Sequence, residues 1–218
     1  FHRGSYVRKL NPGTYRFAPW SQYTVVVMDI TKPFVVAGKE LQLFLQDENL
    51  VRDLEIIKVQ DHEYVLHYED GQFTQLLTPG MYAFWNILKK HTFVRADIRN
   101  PELPAEVDRS IILKIAAYVQ AFEVASYEAG FLFYDHALQR ELAPGTYYFW
   151  KGPVSVMVRT VDLRQQQMNL LGQEIMTEDK VSLRLNFVCQ YKITNPLRSL
   201  EIKSFDEQIH IQLQLMLR

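Results

Sequence analysis

His62-Glu63-Tyr64-Val65-Leu66-His67 sets two imidazoles around a carboxylate and invites comparison with a zinc-hydrolase pair. That chemistry needs histidines at i and i+4 on one helical face, with the glutamate as general base. Here the spacing is one residue longer. The segment is also strand-like, so positions five apart fall on opposite sides of a sheet. No metal is expected. Cys189, the single cysteine, cannot form an internal disulfide, and it falls on the apolar face of an alternating segment, where a thiol is ordinarily inert. Asp206 and Glu207 lie near His210 but have no nucleophile beside them. The sequence contains no Gly-x-Gly-x-x-Gly, no Gly-x-x-x-x-Gly-Lys and no Gly-x-Ser-x-Gly, so phosphate loops and the hydrolase elbow are absent. These residues predict no catalytic site and no cofactor.

What must be positioned is instead a set of aromatics. Pro12-Gly13-Thr14-Tyr15-Arg16-Phe17, Pro79-Gly80-Met81-Tyr82-Ala83-Phe84 and Pro144-Gly145-Thr146-Tyr147-Tyr148-Phe149 follow one template. Random placement of the 9 prolines and 9 glycines predicts about 0.4 Pro-Gly pairs, so three with matching Tyr and Phe are an internal repeat. The likeness extends outward. Gly4, Gly71 and His136 stand at the same distance before each proline, in hairpin-turn contexts where φ is positive. Leu10, Leu77 and Leu142 follow them, and each repeat ends in an apolar run closing on Asp29, Asp97 or Asp162. Each repeat reads as a small antiparallel β-meander, with a type II turn at Pro-Gly and Tyr and Phe on one face of the next strand. Trp85 and Trp150 fall on the opposite face. They either fill a core or offer a partner surface, and the second reading defines an alternative function, a soluble module of tandem β-units that binds a peptide or glycan.

Composition sets the frame. The chain has 218 residues, 48% hydrophobic and 22% charged, and its 24 basic against 25 acidic residues carry no broad cationic footprint for nucleic acid. The most apolar run, residues 111–119, is short and broken by Lys114, so no transmembrane segment is expected. Residues 39–54 suggest a helical turn or two, and Asn100-Pro101-Glu102-Leu103-Pro104 reads as a linker. The expected fold is α+β and β-rich. Residues 1–54 hold a first, truncated β-unit with a short helix, residues 55–104 a second unit, and residues 105–218 a third that continues into a further domain.

In the last third, Leu183, Leu185, Phe187, Cys189, Tyr191 and Ile193 alternate with mainly polar residues, which predicts a long half-buried strand. Asp179-Lys180 reads as the turn joining it to a strand that ends at Met176, and Asn195-Pro196 ends it. Ser204 and Glu207 match a capping box, which predicts a helix despite the alternation that follows. In that helix Ile209, Leu213, Met216 and Leu217 form one stripe, and Ile211 with Leu215 forms a second that needs a neighbour of its own. The pattern runs to the last residue, as in a fragment of a longer helix.

Residues 124–218 resemble the start of the stomatin/prohibitin/flotillin (SPFH, or band 7) domain, in its slipin branch. The resemblance is carried by Glu128-Ala129-Gly130, by Leu142-Ala143 with Pro144 and Gly145, and by Asp162-Leu163-Arg164-Gln165. It continues through Gly172 with Gln173 and Glu174, then Thr177-Glu178-Asp179-Lys180-Val181, Tyr191 and Asn195-Pro196. It implies an oligomeric, non-enzymatic scaffold that organises a membrane patch or partner proteins. The implied partners are copies of itself, in a ring or cage, together with membrane lipid or a membrane protease. The implied place is the cytoplasmic face of a membrane. The signature residues have a structural role in this reading, with Asp162 and Arg164 pairing to neighbouring strands and Ile211 and Leu215 offered to a partner. The family's hydrophobic anchor and coiled-coil helices do not fall within these residues, and two additional β-units stand where the anchor would.

Overall fold

The computed structural model describes residues 1–104, 107–176 and 178–216. It is β-rich and contains several small sheets, as the alternating patterns require. The chain divides into two compact bodies, Phe1–Val119 and Gln120–Arg218.

In the first body, residues 41–44 form a 3-10 turn and α1 spans Glu48–Val51. The Asp47 carboxylate caps α1, accepting from the amides of Asn49 and Leu50. Five strands follow: β1 (Leu54–Val59), β2 (Glu63–Glu69), β3 (Gln72–Leu77), β4 (Gly80–Trp85) and β5 (His91–Asp97). β2 is the centre of a three-stranded antiparallel sheet between β3 and β5, with Val65 opposite Leu77 and Arg95. β1 pairs with β4, Leu54 facing Trp85. Ile57, Val59, Val65, Leu77 and Phe84 close a core between the two sheets.

The third repeat is built on the same plan: β6 (Val119–Val124), β7 (Glu128–Tyr134), β8 (Ala137–Leu142), β9 (Gly145–Trp150) and β10 (Val156–Asp162). β7 lies between β8 and β10, and β6 pairs with β9. Val124, Leu132, Leu142 and Phe149 form the equivalent core in the second body. Both hairpins turn through two left-handed residues. Asp70 and Gly71 have φ 49° and 81°, and Asp135 and His136 have φ 47° and 68°, so the histidine accepts the backbone that glycine supplies elsewhere.

The Pro-Gly corner differs from the expected type II turn. Gly80 and Gly145 take φ of 151° and 155°, far from the roughly 80° of that turn, and each opens a strand. The tyrosine two residues on folds back over the glycine. Tyr82 donates to the carbonyl of Thr78 at 3.0 Å, Tyr147 to Ala143 at 2.7 Å and Tyr15 to Asn11 at 2.8 Å, so one side-chain clasp recurs in all three repeats.

The first repeat departs furthest from expectation. It has no named strand among its described residues, only isolated bridges from His2 to Ser5 and Tyr23. Residues 1–54 are not a separate unit either. Phe34, Phe44, Leu50 and Leu54 share one core with Ala83 and Trp85 of the second repeat. The expected boundary near 104 also moves, to Val119/Gln120. A 3-10 segment, Arg109–Ile115, buries Ile111 and Ile115, and Tyr118 packs edge-on against Tyr64, which holds residues 107–119 to the first body.

Beyond the third repeat, β11 (Gln166–Met176) and β12 (Ser182–Tyr191) form an antiparallel ribbon, with a bulge between Leu170 and Gln173. At the bulge Gly172 turns through φ 67° and donates its amide to Asn186 at 2.7 Å. The inner face expected for β12 is only partly covered. Leu183 and Leu185 are exposed, because a two-stranded ribbon buries a face only where something packs on it. α2 spans Pro196–Glu201, with Asn195 capping the Arg198 amide, and α3 spans Phe205–Met216. Ser204 precedes α3 at φ 53°, not in the extended conformation of a capping box, so the helix forms without that device.

Candidate functional site

A cluster of titratable groups, His67, Glu69 and His91, lies in the second repeat, where spacing along the sequence does not bring them together. The sequence pairs His67 with His62, whereas strand register brings it to His91. β2 and β5 set Glu69 opposite His91 and His67 opposite Phe93. His91 Nε2 lies 2.9 Å from the Trp85 carbonyl and therefore donates to it, which leaves Nδ1 as a lone pair. That lone pair accepts the Nε2–H of His67 at 2.8 Å. His67 is fully buried and stacks on Phe93, with Phe84 close by. Its Nδ1 has no hydrogen-bond partner among the described residues, as an unprotonated nitrogen can tolerate. Burial, followed by the neighbouring His91, pushes its pKa down to about 4, so the imidazole is neutral at physiological pH.

The donor atoms of His67, Glu69 and His91 lie within 4.8 Å of one another, a spacing a divalent metal could span. Two features work against that use. The facing nitrogens, His67 Nε2 and His91 Nδ1, already bond to each other, and Glu69 is engaged by the Lys89 ammonium. The cluster holds no nucleophile. His67 and His91 form a hydrogen-bond relay that ties β2 to the end of β4.

The signature residues lie mainly at strand ends in the second body. Asp162 and Arg164 pair with each other, not with a neighbouring strand. The Asp162 carboxylate accepts from the Arg164 amide at 2.9 Å and from its guanidinium, and the guanidinium stacks 3.8 Å over Tyr127. The Arg164 side chain, then its amide, holds the Asp162 carboxyl below the usual carboxylate range. The same clasp joins Asp97 to Arg99 and holds the Asp97 carboxyl at about 2. Two-residue spacing closes a local turn more readily than it reaches across a sheet.

Pro144 and Gly145 form the corner spanned by Tyr147. Gln173 and Glu174 follow the bulge, opposite Leu185 and Arg184, and Asp179 is exposed in the turn after β11, beside Lys180 at φ 64°. Thr177 lies outside the described residues. Tyr191 is a junction, its hydroxyl 2.7 Å from Gln166 Oε1 and 2.9 Å from Asp206 Oδ1, so it ties β12 to β11 and to α3. Burial, together with Asp206, pushes its pKa up to about 12. These positions do not converge on a common cavity.

The surface expected of two tryptophans is corrected. Trp85 is 6% exposed and Trp150 0%, each as the last residue of its strand. Trp85 stacks edge-on against Phe34. Ile211 and Leu215, by contrast, stand 47% and 57% exposed, one helical turn apart on α3.

Paired β-meanders, followed in the chain by a long ribbon and a helix, make up a β-rich architecture. The family model described as SPFH domain / Band 7 family matches residues 57–214, and the chain belongs to that family. The match begins in β1, well ahead of residue 124, so the second repeat as well as the third lies within the region matched. The family is in general one of scaffolds, not of enzymes. No curated protein and no solved structure matches the chain. Among the described residues no helix is long and apolar enough to cross a membrane.

Proposed function

We propose that this chain is a self-assembling, non-enzymatic scaffold of the slipin/stomatin type. It organises a membrane patch, or holds partner proteins such as a membrane protease, at the cytoplasmic face of a membrane. Family membership supports the scaffold role. The observation that carries self-assembly is the second stripe of α3. One side of the helix packs on β11, while Ile211, Leu215 and Met216 remain in water. Apolar side chains one turn apart on a helix present a ready surface for a second copy. The exposed apolar residues of the ribbon, Leu171, Met176 and Val188 among them, add to that surface.

Multi-angle light scattering over a range of concentrations tests the assembly, against a monomer of 25.7 kDa. The reading predicts a defined multiple of that mass, and a strictly monomeric protein contradicts it. Flotation with anionic vesicles tests the membrane role, which fails if the assembled protein stays at the bottom of the gradient. The alternative of a peptide- or glycan-binding module rests on Trp85 and Trp150, and both side chains are buried.

A further inference from the structure

Three donors of the kinds that hold a transition metal share one face of the sheet in the second repeat. His67 and Glu69 stand two apart on β2 and so point to the same side, and the register of β5 sets His91 opposite Glu69. His67 Nε2 and His91 Nδ1 face each other at 2.8 Å, and one donor atom from each of the three residues lies within 4.8 Å of the others. His91 is held from behind, its Nε2–H donating to the Trp85 carbonyl at 2.9 Å. A metal-bound imidazole ordinarily has that support, because a bond from the far nitrogen fixes the tautomer and aims the near one. His67 is held by burial against the rings of Phe84 and Phe93, while Glu69 and His91 are half-buried and reachable from solvent.

None of these polar groups is needed by the backbone that carries them. At the equivalent places the third repeat has Leu132, Tyr134 and Val156, on the same strands in the same register. The donor set is therefore an addition made in one repeat only.

Two partners close the cluster, and both are exchangeable. The first is the proton on His67 Nε2. Its transfer to Nδ1 gives the other neutral tautomer, with no change of charge, and leaves both facing nitrogens as lone pairs. Nδ1 has no hydrogen-bond partner among the described residues, so the transfer breaks no bond there. It does bury an N–H without an acceptor, which lowers affinity by roughly 10- to 100-fold. The second partner is the Lys89 ammonium on Glu69, carried by a side chain 41% exposed, which can turn into water. A pair so exposed is a weak competitor.

We propose that His67 Nε2, His91 Nδ1 and a Glu69 carboxylate oxygen form a site for a divalent transition metal, Zn²⁺ above all, that clamps β2 to β5. Two histidines and a glutamate make up a three-ligand zinc set, with water in the fourth position. Imidazole donors select such ions over Mg²⁺ and Ca²⁺, which take oxygen. The inference stands independently of the scaffold reading.

Calorimetric titration of the full chain with Zn²⁺, after trace metal is stripped with a chelator, tests the site. The proposal predicts saturable binding of one ion per chain. His67→Leu and His91→Asn should each weaken it by more than the roughly 10- to 100-fold that loss of an outer-shell partner costs. His67→Leu is the decisive variant, since a leucine fills this place in the third repeat, and an unchanged circular-dichroism spectrum verifies its fold. Lys89→Met frees Glu69 and should tighten binding about two- to five-fold. The absence of saturable binding, or binding undiminished in His67→Leu, overturns the site. An affinity unchanged in Lys89→Met overturns Glu69 as the third ligand.

Discussion

His67 and Leu132 occupy the same place in their respective repeats. Each is fully buried near the middle of the central strand, His67 opposite Phe93 and Leu132 opposite Val158. The second repeat therefore carries a titratable ring where the third carries a hydrocarbon, and the ionisable groups facing that ring are His91, Glu69 and Lys89.

This difference predicts acid sensitivity with a defined sign. The folded-state pKa of His67, about 4, lies below its ordinary value of 6.5, so the unfolded chain binds the proton more readily. The stability of the first body is full above pH 6.5, falls as pH drops toward 4, and levels off below that for this group. The loss is about 3 kcal/mol. Urea denaturation between pH 7 and 4 measures it, and His67→Leu should remove most of the slope in that window. The Asp97 and Asp162 clasps titrate at still lower pH and leave the comparison intact.

The tyrosine clasp predicts a graded series. Tyr82→Phe removes a part-buried hydrogen bond to a carbonyl and should cost about 1 kcal/mol in thermal or urea unfolding. Tyr147→Phe and Tyr15→Phe should cost less, since both bonds lie in exposed settings where water replaces them.

Gly130 predicts a steric effect. A Cβ at this position would lie 2.6 Å from Val124 Cγ2 and 3.2 Å from Leu142 Cβ. Gly130→Ala should destabilise the second body by about 1–3 kcal/mol. The second repeat accommodates Val65 at the equivalent position.

The tryptophans separate core from surface. Trp85→Ala and Trp150→Ala should each cost about 3–5 kcal/mol or prevent folding. Trp20→Ala, at a side chain 84% exposed, should leave the melting temperature unchanged. A large loss at Trp20 would contradict the assignment of the core.

What could be read from the sequence was local. The hairpin at Asp135-His136 and the strand ending at Met176 depend on φ preferences and alternation, which neighbouring residues largely decide. The first repeat has the same apolar run as its copies, yet its strand pairing is missing, because a strand needs a partner backbone as well as a pattern. His67 and His91 meet through the register of β2 against β5, which spacing along one strand cannot reveal. Asp162 and Arg164 were read as reaching outward, whereas a two-residue spacing lets the carboxylate capture its own arginine first. Trp150 is buried by how its sheets close, a tertiary outcome that leaves no mark on composition.

The central claim is that α3 offers its second apolar stripe to another copy of the chain. Light scattering on wild type beside the double variant Ile211→Asp, Leu215→Asp tests it most directly, because both side chains point into water and their replacement should leave the monomer folded. The account predicts an oligomer for the wild type and a 25.7 kDa species with an unchanged circular-dichroism spectrum for the variant. An unaltered oligomer in the variant, or a wild type that is monomeric at every concentration, would contradict it.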